Sequence, residues 1–325
     1  MLSQSKIVNA VDGPGDKEAG IREMLSLAKQ PDIDEKTALT LLERVATYAS
    51  DPACSNRLDA LTAVAAEIAK PNQDRLLAPR RIALFNRLAD ECDEMSADEI
   101  APLVLALAQA RPWLGVSVES DAAFGRVYQL IGKLDIVERA EPLAELARYL
   151  HLLTNDSKWQ AFQAIASAPS TDAAATANLA SKFSFLLDDV REEAFDLAFD
   201  AALRHPDSHA EALHNLGASI RMLDEPVKLQ KFDKIARLLT HMPKPAAAHV
   251  ALGLLTSLTH PEPPHFAPAA FQWLAQYLLF VEGSDDVLNA TLALEEIRDV
   301  MPAPQADLAR TLARQIAFNR SQNEV

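Results

Sequence analysis

Apolar residues recur along most of the chain with the three-and-four spacing of an amphipathic α-helix. One such run comprises Leu58, Leu61, Val64, Ala65 and Ile68, and a second comprises Ile82, Phe85, Leu88, Ala89 and Cys92. The strand-like alternation of Leu114, Val116 and Val118 is too short to support a sheet. The pattern therefore predicts an all-α protein.

Helix breakers and capping residues divide this pattern at matching places. Most of the 19 prolines fall where one periodic segment ends or the next begins. Ser96 and Glu99 have the spacing of a capping box, and Asp34 and Asp156 stand at expected N-caps. The breaks predict about fourteen helices of about 12 to 17 residues with short connections. Helices joined by short connections lie antiparallel to their neighbours, and fourteen of them are too many for one simple bundle. We therefore expect an α-solenoid of helix hairpins.

Internal similarity favours the same architecture. Residues 147–167 and 236–256 place apolar side chains alike at an offset of 89. Half of this offset falls within the period of HEAT and armadillo repeats, about 40 to 47 residues. The helix, Pro-containing turn and helix of residues 237–258 resemble one such repeat. The resemblance covers residues 34–318 and implies degenerate HEAT/armadillo-like repeats.

The predicted organisation is a flexible N-terminal arm (1–15), a single helical repeat domain (16–319) and a flexible C-terminal tail (320–325). The arm is polar, contains Gly13, Pro14 and Gly15, and lacks the long apolar segment of a cleaved signal peptide. Such an arm suits a frayed terminus and also a non-cleaved bacterial secretion signal. We therefore expect a cytoplasmic protein, or one secreted into a host cell without a cleaved Sec signal.

A short motif bears on the second of these locations. Ser157, Lys158 and Trp159 resemble the motif that names a family of HEAT-like type III effectors from plant-pathogenic bacteria. The motif occurs once, and Gln160 stands where the family has Pro. The resemblance implies a secreted bacterial effector.

Composition and charge narrow the classes of partner. The chain is 49% hydrophobic and carries a net charge of -15, which opposes binding to nucleic acid or to an anionic membrane surface. Cys54 and Cys92 form no metal-type grouping. The nine glycines form no phosphate-binding loop, and no nucleophile motif occurs. We therefore expect no cofactor, no catalytic residue, no nucleic acid and no membrane.

The segment RHPDSHAEALH, residues 204–214, has the composition of a metal site. Pro206 breaks the preceding helix, and Asp207 or Ser208 can cap the next. On that next helix His209 and His214 would lie about 140° apart, so they cannot chelate one ion together. The segment therefore predicts a helix start, and we expect no metal site.

Four carboxylates form a stripe on the helix predicted over residues 186–200: Asp189, Glu193, Asp196 and Asp200. Their side chains fall within about 60° of one another on a helical wheel. Two interpretations are open, a solvated outer face that folding does not need and a docking stripe for a basic partner.

The helix predicted over residues 266–281 is apolar nearly all round, which is unusual for a surface helix. One stripe comprises Phe271, Leu274, Leu278 and Val281, and the other comprises Trp273, Tyr277 and Phe280. The second stripe is predicted to pack in the core; the alternative is an exposed aromatic anchor for a partner.

These features favour a non-enzymatic scaffold that binds a protein or peptide, with a basic partner suited to the acidic stripe. The candidate binding residues are the aromatic set and the four carboxylates. The alternative is an all-helical enzyme, a hydrolase or a HEAT-like nucleic-acid repair glycosylase, with a dispersed active site. Converging carboxylates in a deep pocket would favour the enzyme.

Overall fold

A computed structural model describes residues 17–51, 53–70, 75–206, 208–258 and 265–279, together with 307, 310, 311 and 314. These ranges contain fourteen α-helices and no strand, so the all-α prediction is confirmed for the part of the chain described. In chain order they are α1 (Lys17–Ala28), α2 (Glu35–Ala49), α3 (Arg57–Ile68), α4 (Ala78–Glu91), α5 (Ala97–Ala110), α6 (Val118–Ile131), α7 (Ala140–Arg148), α8 (Asn155–Ser167), α9 (Ala173–Lys182), α10 (Arg191–Leu203), α11 (Ala210–Ser219), α12 (Glu225–Leu239), α13 (Lys244–Leu258) and α14 (Ala267–Leu279).

Local sequence signals place several helix starts correctly. The side chain of Asp34 accepts a hydrogen bond from the backbone N–H of Thr37 at 2.9 Å, and Ser96 with Glu99 forms the predicted capping box. Asp156 is not an N-cap, because α8 already begins at Asn155 and Asp156 lies in its first turn.

The chain divides into two compact units, residues 1–161 and 162–325, with the boundary inside α8. The single repeat domain over residues 16–319 stays a prediction, and the arm and tail lie outside the described residues. In the first unit α1, α3, α5 and α7 pack side by side in one row, and α2, α4 and α6 pack in a second row. Each helix therefore contacts both its neighbour in sequence and the second helix after it.

The second unit has the same pattern of contacts. Helices α9, α11 and α13 pack side by side, while side-chain contacts join α10 to α12 and α12 to α14. The closest approach joins α11 to α13 at Gly217 and Gly253. Glycine is required there because a Cβ on Gly253 would overlap the backbone of His214.

Bonds between alternate helices join residues 30 to 40 positions apart. In the first unit Arg80 of α4 binds Glu43 of α2, 37 residues earlier, and Arg126 of α6 binds Asp90 of α4, 36 residues earlier. In the second unit Lys231 of α12 binds Asp196 of α10, 35 residues earlier. The amide of Asn215 in α11 reaches the carbonyl of Ala177 in α9 across 38 residues.

Three of the helix connections share one conformation. A 3₁₀ turn at Leu150–Leu152, Phe183–Phe185 or Ile220–Met222 precedes a buried leucine with extended backbone. These leucines are Leu153, Leu186 and Leu223, which lie 33 and 37 residues apart. The spacing agrees with that of the bonds between alternate helices.

The two segments that match at an offset of 89 are not equivalent in the fold. Residues 147–167 run from α7 into α8, and residues 236–256 run from α12 into α13. The second segment begins five helices after the first, which is not a whole number of two-helix hairpins. Ala-rich amphipathic helices resemble one another because few residue types fill a tightly packed interface, and this explains the match.

A buried arginine joins three segments of the first unit. Arg111, at the end of α5, lies 3.3 Å from the carboxylate of Asp121 and from the carbonyl oxygen of Leu152. Burial lowers the pKa of Arg111 to about 10, against the opposing effect of Asp121. Asp121 also accepts the backbone N–H of Thr154. The network ties the starts of α6 and α8 to the end of α5.

None of the helices in the described ranges combines the length and the apolar character that crossing a lipid bilayer requires.

We predict that Gly253→Ala destabilises the protein by about 1 to 3 kcal/mol, because the added methyl group forces α11 and α13 apart. The matched control is Gly125→Ala in α6, where an added Cβ meets no atom and Ala is the better helix former. Urea unfolding measures both. Equal midpoints for Gly253→Ala and wild type would contradict the close packing of α11 and α13.

Candidate functional site

A groove lies between α12 and α14 in the second unit. Its volume is about 690 Å³, which falls in the range typical of ligand sites. Its walls come from successive turns of the two helices: Leu229, Phe232, Asp233, Ala236, Arg237, Thr240 and His241 on and after α12, and Phe266, Ala269, Ala270 and Trp273 on and before α14. Helix periodicity places these side chains in two facing columns.

Two contacts join the helices on either side of the groove. The rings of Phe232 and Phe266 lie 5.5 Å apart. The hydroxyl of Tyr277 donates a hydrogen bond of 2.8 Å to the carbonyl oxygen of Leu239. Burial raises the pKa of Tyr277, so the hydroxyl stays protonated as this bond requires. The two contacts hold α12 and α14 parallel with a cleft between them.

The apolar stripes of α14 have different environments. Phe271 and Leu274 are fully buried, as expected of a core stripe. Trp273 is 39% exposed, and its ring stacks on Tyr277 with the ring centroids 5.7 Å apart. The predicted core packing of the second stripe therefore holds in part for Tyr277, whereas Trp273 faces the groove. Phe280 lies outside the described residues.

The groove has a polar rim on the α12 side. Asp233, Arg237 and His241 are exposed and follow one another at intervals of one helical turn. Within the described chain the side chains of Asp233 and Arg237 make no hydrogen bond or ion pair. An apolar cleft with a charged rim is the arrangement found in protein interfaces.

The four carboxylates of the acidic stripe do not share one helix. Asp189 lies in a 3₁₀ turn at Asp188–Val190, because α10 begins only at Arg191. Asp189, Glu193 and Asp200 are exposed, and Glu193 accepts a hydrogen bond of 3.3 Å from Gln163. Their part in docking stays a prediction.

Asp196 has a different role from the other three carboxylates. Its oxygens lie 2.7 Å from the ammonium of Lys231 and 3.1 Å from that of Lys234, both on α12. Lys231 is only 4% exposed and lies 5.9 Å from the ring of Phe195. Partial burial opposes ionisation of Asp196, but the bonds from both lysines outweigh it and lower the pKa of Asp196. This carboxylate therefore belongs to the packing between α10 and α12.

The histidine-rich segment is the start of a helix, but the start is later than predicted. α11 begins at Ala210, so His209 is the residue before the first helical one, and Asp207 lies outside the described residues. His205 lies on the preceding turn with Nε2 2.7 Å from the carbonyl oxygen of Thr171. Across the described ranges no three His, Cys, Asp or Glu side chains are arranged to hold a metal ion.

A pair of stacked histidines was not foreseen. The rings of His214 and His249 lie 4.3 Å apart at the junction of α11 and α13. Nδ1 of His214 donates to the carbonyl oxygen of His249 at 2.7 Å, and Nε2 of His249 donates to Glu211 at 2.8 Å. The close approach of Gly217 and Gly253 in the next turn brings the rings together. Nothing within residues 204–214 signals a partner 35 residues away.

Three arginines of α4, Arg80, Arg81 and Arg87, bind groups within the first unit. Arg80 binds Glu43 at 2.6 Å, and Arg87 binds Thr47 at 2.8 Å. Arg81 is buried and donates to the carbonyl oxygen of Ile68. These arginines therefore serve the packing of α4, and they do not line an open basic surface.

No protein-family model matches this chain, and no curated protein matches it in sequence. The class that the geometry defines is a helical protein with an apolar groove between two parallel helices.

We predict that Phe271→Ala lowers the free energy of unfolding by about 3 to 5 kcal/mol, because Phe271 is fully buried. Trp273→Ala should cost less than about 2 kcal/mol, because its side chain is partly solvated at the groove. Urea unfolding of the two variants provides the comparison. A loss for Trp273→Ala equal to that for Phe271→Ala would place Trp273 in the core instead.

We predict that Asp196→Asn destabilises the protein by about 1 kcal/mol at pH 7, a small effect because solvent screens the half-exposed carboxylate. The lowered pKa means that this stabilisation is present above the ordinary pKa of Asp, about 4, and is lost as the pH falls through the folded-state value. Thermal unfolding of variant and wild type should therefore converge below about pH 4. Asp189→Asn is the control, and we expect it to match wild type at every pH.

Proposed function

We propose that this protein is a non-catalytic α-solenoid of the HEAT/armadillo kind, which binds a protein or peptide segment in the groove between α12 and α14. The single observation that carries the proposal is the apolar groove with the exposed Trp273 at its wall. Large aromatic side chains at the centre of a concave patch dominate the energy of many interfaces.

The solenoid part of the proposal is supported by contacts within each unit. Four bonds between alternate helices span 35 to 38 residues, and three connections repeat the same turn with a buried leucine. A chain in which each two-helix hairpin packs on the next produces this regular spacing. Rows of stacked hairpins leave long grooves between parallel helices, and such grooves suit an elongated partner.

The character of the rim favours binding over catalysis. The titratable side chains at the groove, Asp233, Arg237 and His241, are all exposed to solvent. Catalytic acids and bases need partial burial and close neighbours to adjust their pKa. Exposed charges around an apolar floor fix the orientation in which a partner binds.

Selection from a display library of random 16-residue peptides tests this proposal. Enriched peptides should bind wild type, and Trp273→Ala should weaken them at least about tenfold because it removes the central aromatic anchor. Fluorescence anisotropy measures the affinities, and circular dichroism checks that the variant is folded.

The matched control is Leu203→Ala in α10, since Leu203 has similar exposure and lies away from the groove. This variant should bind the selected peptides as wild type does. The proposal fails if no peptide is enriched, or if Trp273→Ala and wild type bind the enriched peptides equally well.

A further inference from the structure

Within each unit, the junctions between alternate helices show how charged side chains are paired. At three junctions between alternate helices, a carboxylate of the earlier helix pairs with a cation of the later one. Glu43 pairs with Arg80 between α2 and α4, Asp90 with Arg126 between α4 and α6, and Asp196 with Lys231 between α10 and α12. Each junction thus neutralises a carboxylate with a side chain one two-helix hairpin, or 35 to 37 residues, further on.

The groove between α12 and α14 departs from this pattern, although Glu225 at the start of α12 lies 3.7 Å from the exposed imidazole of His265 before α14. Asp233 on α12 faces the groove, and its carboxylate has no partner among the described residues. α14 has the sequence APAAFQWLAQYLL and contains no charged residue. The side chains of α14 across the groove are Ala269, Ala270 and Trp273. Helix α14 therefore supplies an apolar wall, whereas the later helix at each of the three junctions above supplies a cation.

We infer that the groove takes an amphipathic helix of a partner protein that brings a Lys or Arg side chain to Asp233. This inference rests on the proposed function and names the chemistry of the partner. The partner's apolar stripe covers Phe232, Phe266 and Trp273, and its cation replaces the one that α14 lacks. The net charge of -15 favours the approach of a basic segment over a second acidic copy of this chain.

The dimensions of the groove favour a helix over an extended segment. The residues of α12 and of the turn after it that line the groove run from Leu229 to His241, so the groove spans about three turns of helix, or about 18 Å. Two parallel helices form a channel into which the side-chain ridge of a third helix fits. Apolar anchors at i, i+3 or i+4, i+7 and i+11 would cover this length.

Arg237 adds a constraint on the partner's charge order. It lies one turn beyond Asp233 on the same rim, and its guanidinium is likewise unpaired in the described chain. A basic side chain opposite Asp233 is therefore best followed, one turn along the partner helix, by an acidic or neutral one. A uniformly basic segment would be repelled at this second position.

The experiment uses the peptides selected on the full-length protein and a double-mutant cycle. Asp233→Asn should weaken a selected peptide about fivefold to tenfold, and replacing the peptide's basic residue by Gln should weaken binding to wild type equally. The two losses should not add, because both changes remove one ion pair. The effect should shrink between about 0.05 and 0.5 M salt. Asp135→Asn is the matched control and should leave affinity unchanged, since Asp135 is exposed and lies outside the groove.

Other outcomes overturn this inference, and they separate it from the proposed function. If the selected peptides depend on Trp273 but bind the Asp233→Asn variant as tightly as wild type, the inference of a basic partner is wrong. The groove is then still a binding site. Enrichment of proline-rich extended sequences would exclude the helix. Sedimentation that shows a wild-type dimer, converted to monomer by Trp273→Ala, would assign the groove to a second copy. An absence of Trp273-dependent peptides would overturn the proposed function as well.

Discussion

The contact between each helix and the second helix after it is the constraint on which each unit depends. A helix inside a row has four neighbours, because it packs on the helices before and after it in sequence and on the helix at either side of it in its own row. Small residues and ion pairs make these contacts where two helices come close together. Gly217 and Gly253 permit the closest approach, while Asp196 and Lys231 join two helices through charge.

At the junction of α12 and α14 the two helices leave a groove between them. The rings of Phe232 and Phe266 and the hydroxyl of Tyr277 make the contacts that join this pair of helices. Trp273 and Asp233 face this opening. We propose that a partner protein occupies this groove and supplies the cation that α14 lacks.

Local patterns predicted local structure well. The three-and-four spacing of apolar residues identified the helical class, and the capping box of Ser96 and Glu99 marked a helix start, since both depend on residues within one or two turns. Sequence patterns that were interpreted as functional sites were less informative. The acidic stripe was assigned from one helical wheel, yet Asp189 lies outside the helix and Asp196 pairs with lysines 35 and 38 residues later. A single-helix wheel has no information about such partners.

The sequence by itself determined the all-α class, several of the helix starts, and the nearly apolar character of α14, because these follow from backbone propensity and hydrophobic periodicity. Only the tertiary structure decided which apolar stripe of α14 is buried, with Phe271 inside and Trp273 at the groove. It also decided that His214 stacks on His249 and that Asp233 is left unpaired within the described chain. The physical reason is that these properties depend on which helices become neighbours, and each neighbour's surface is contributed by residues about 35 positions away.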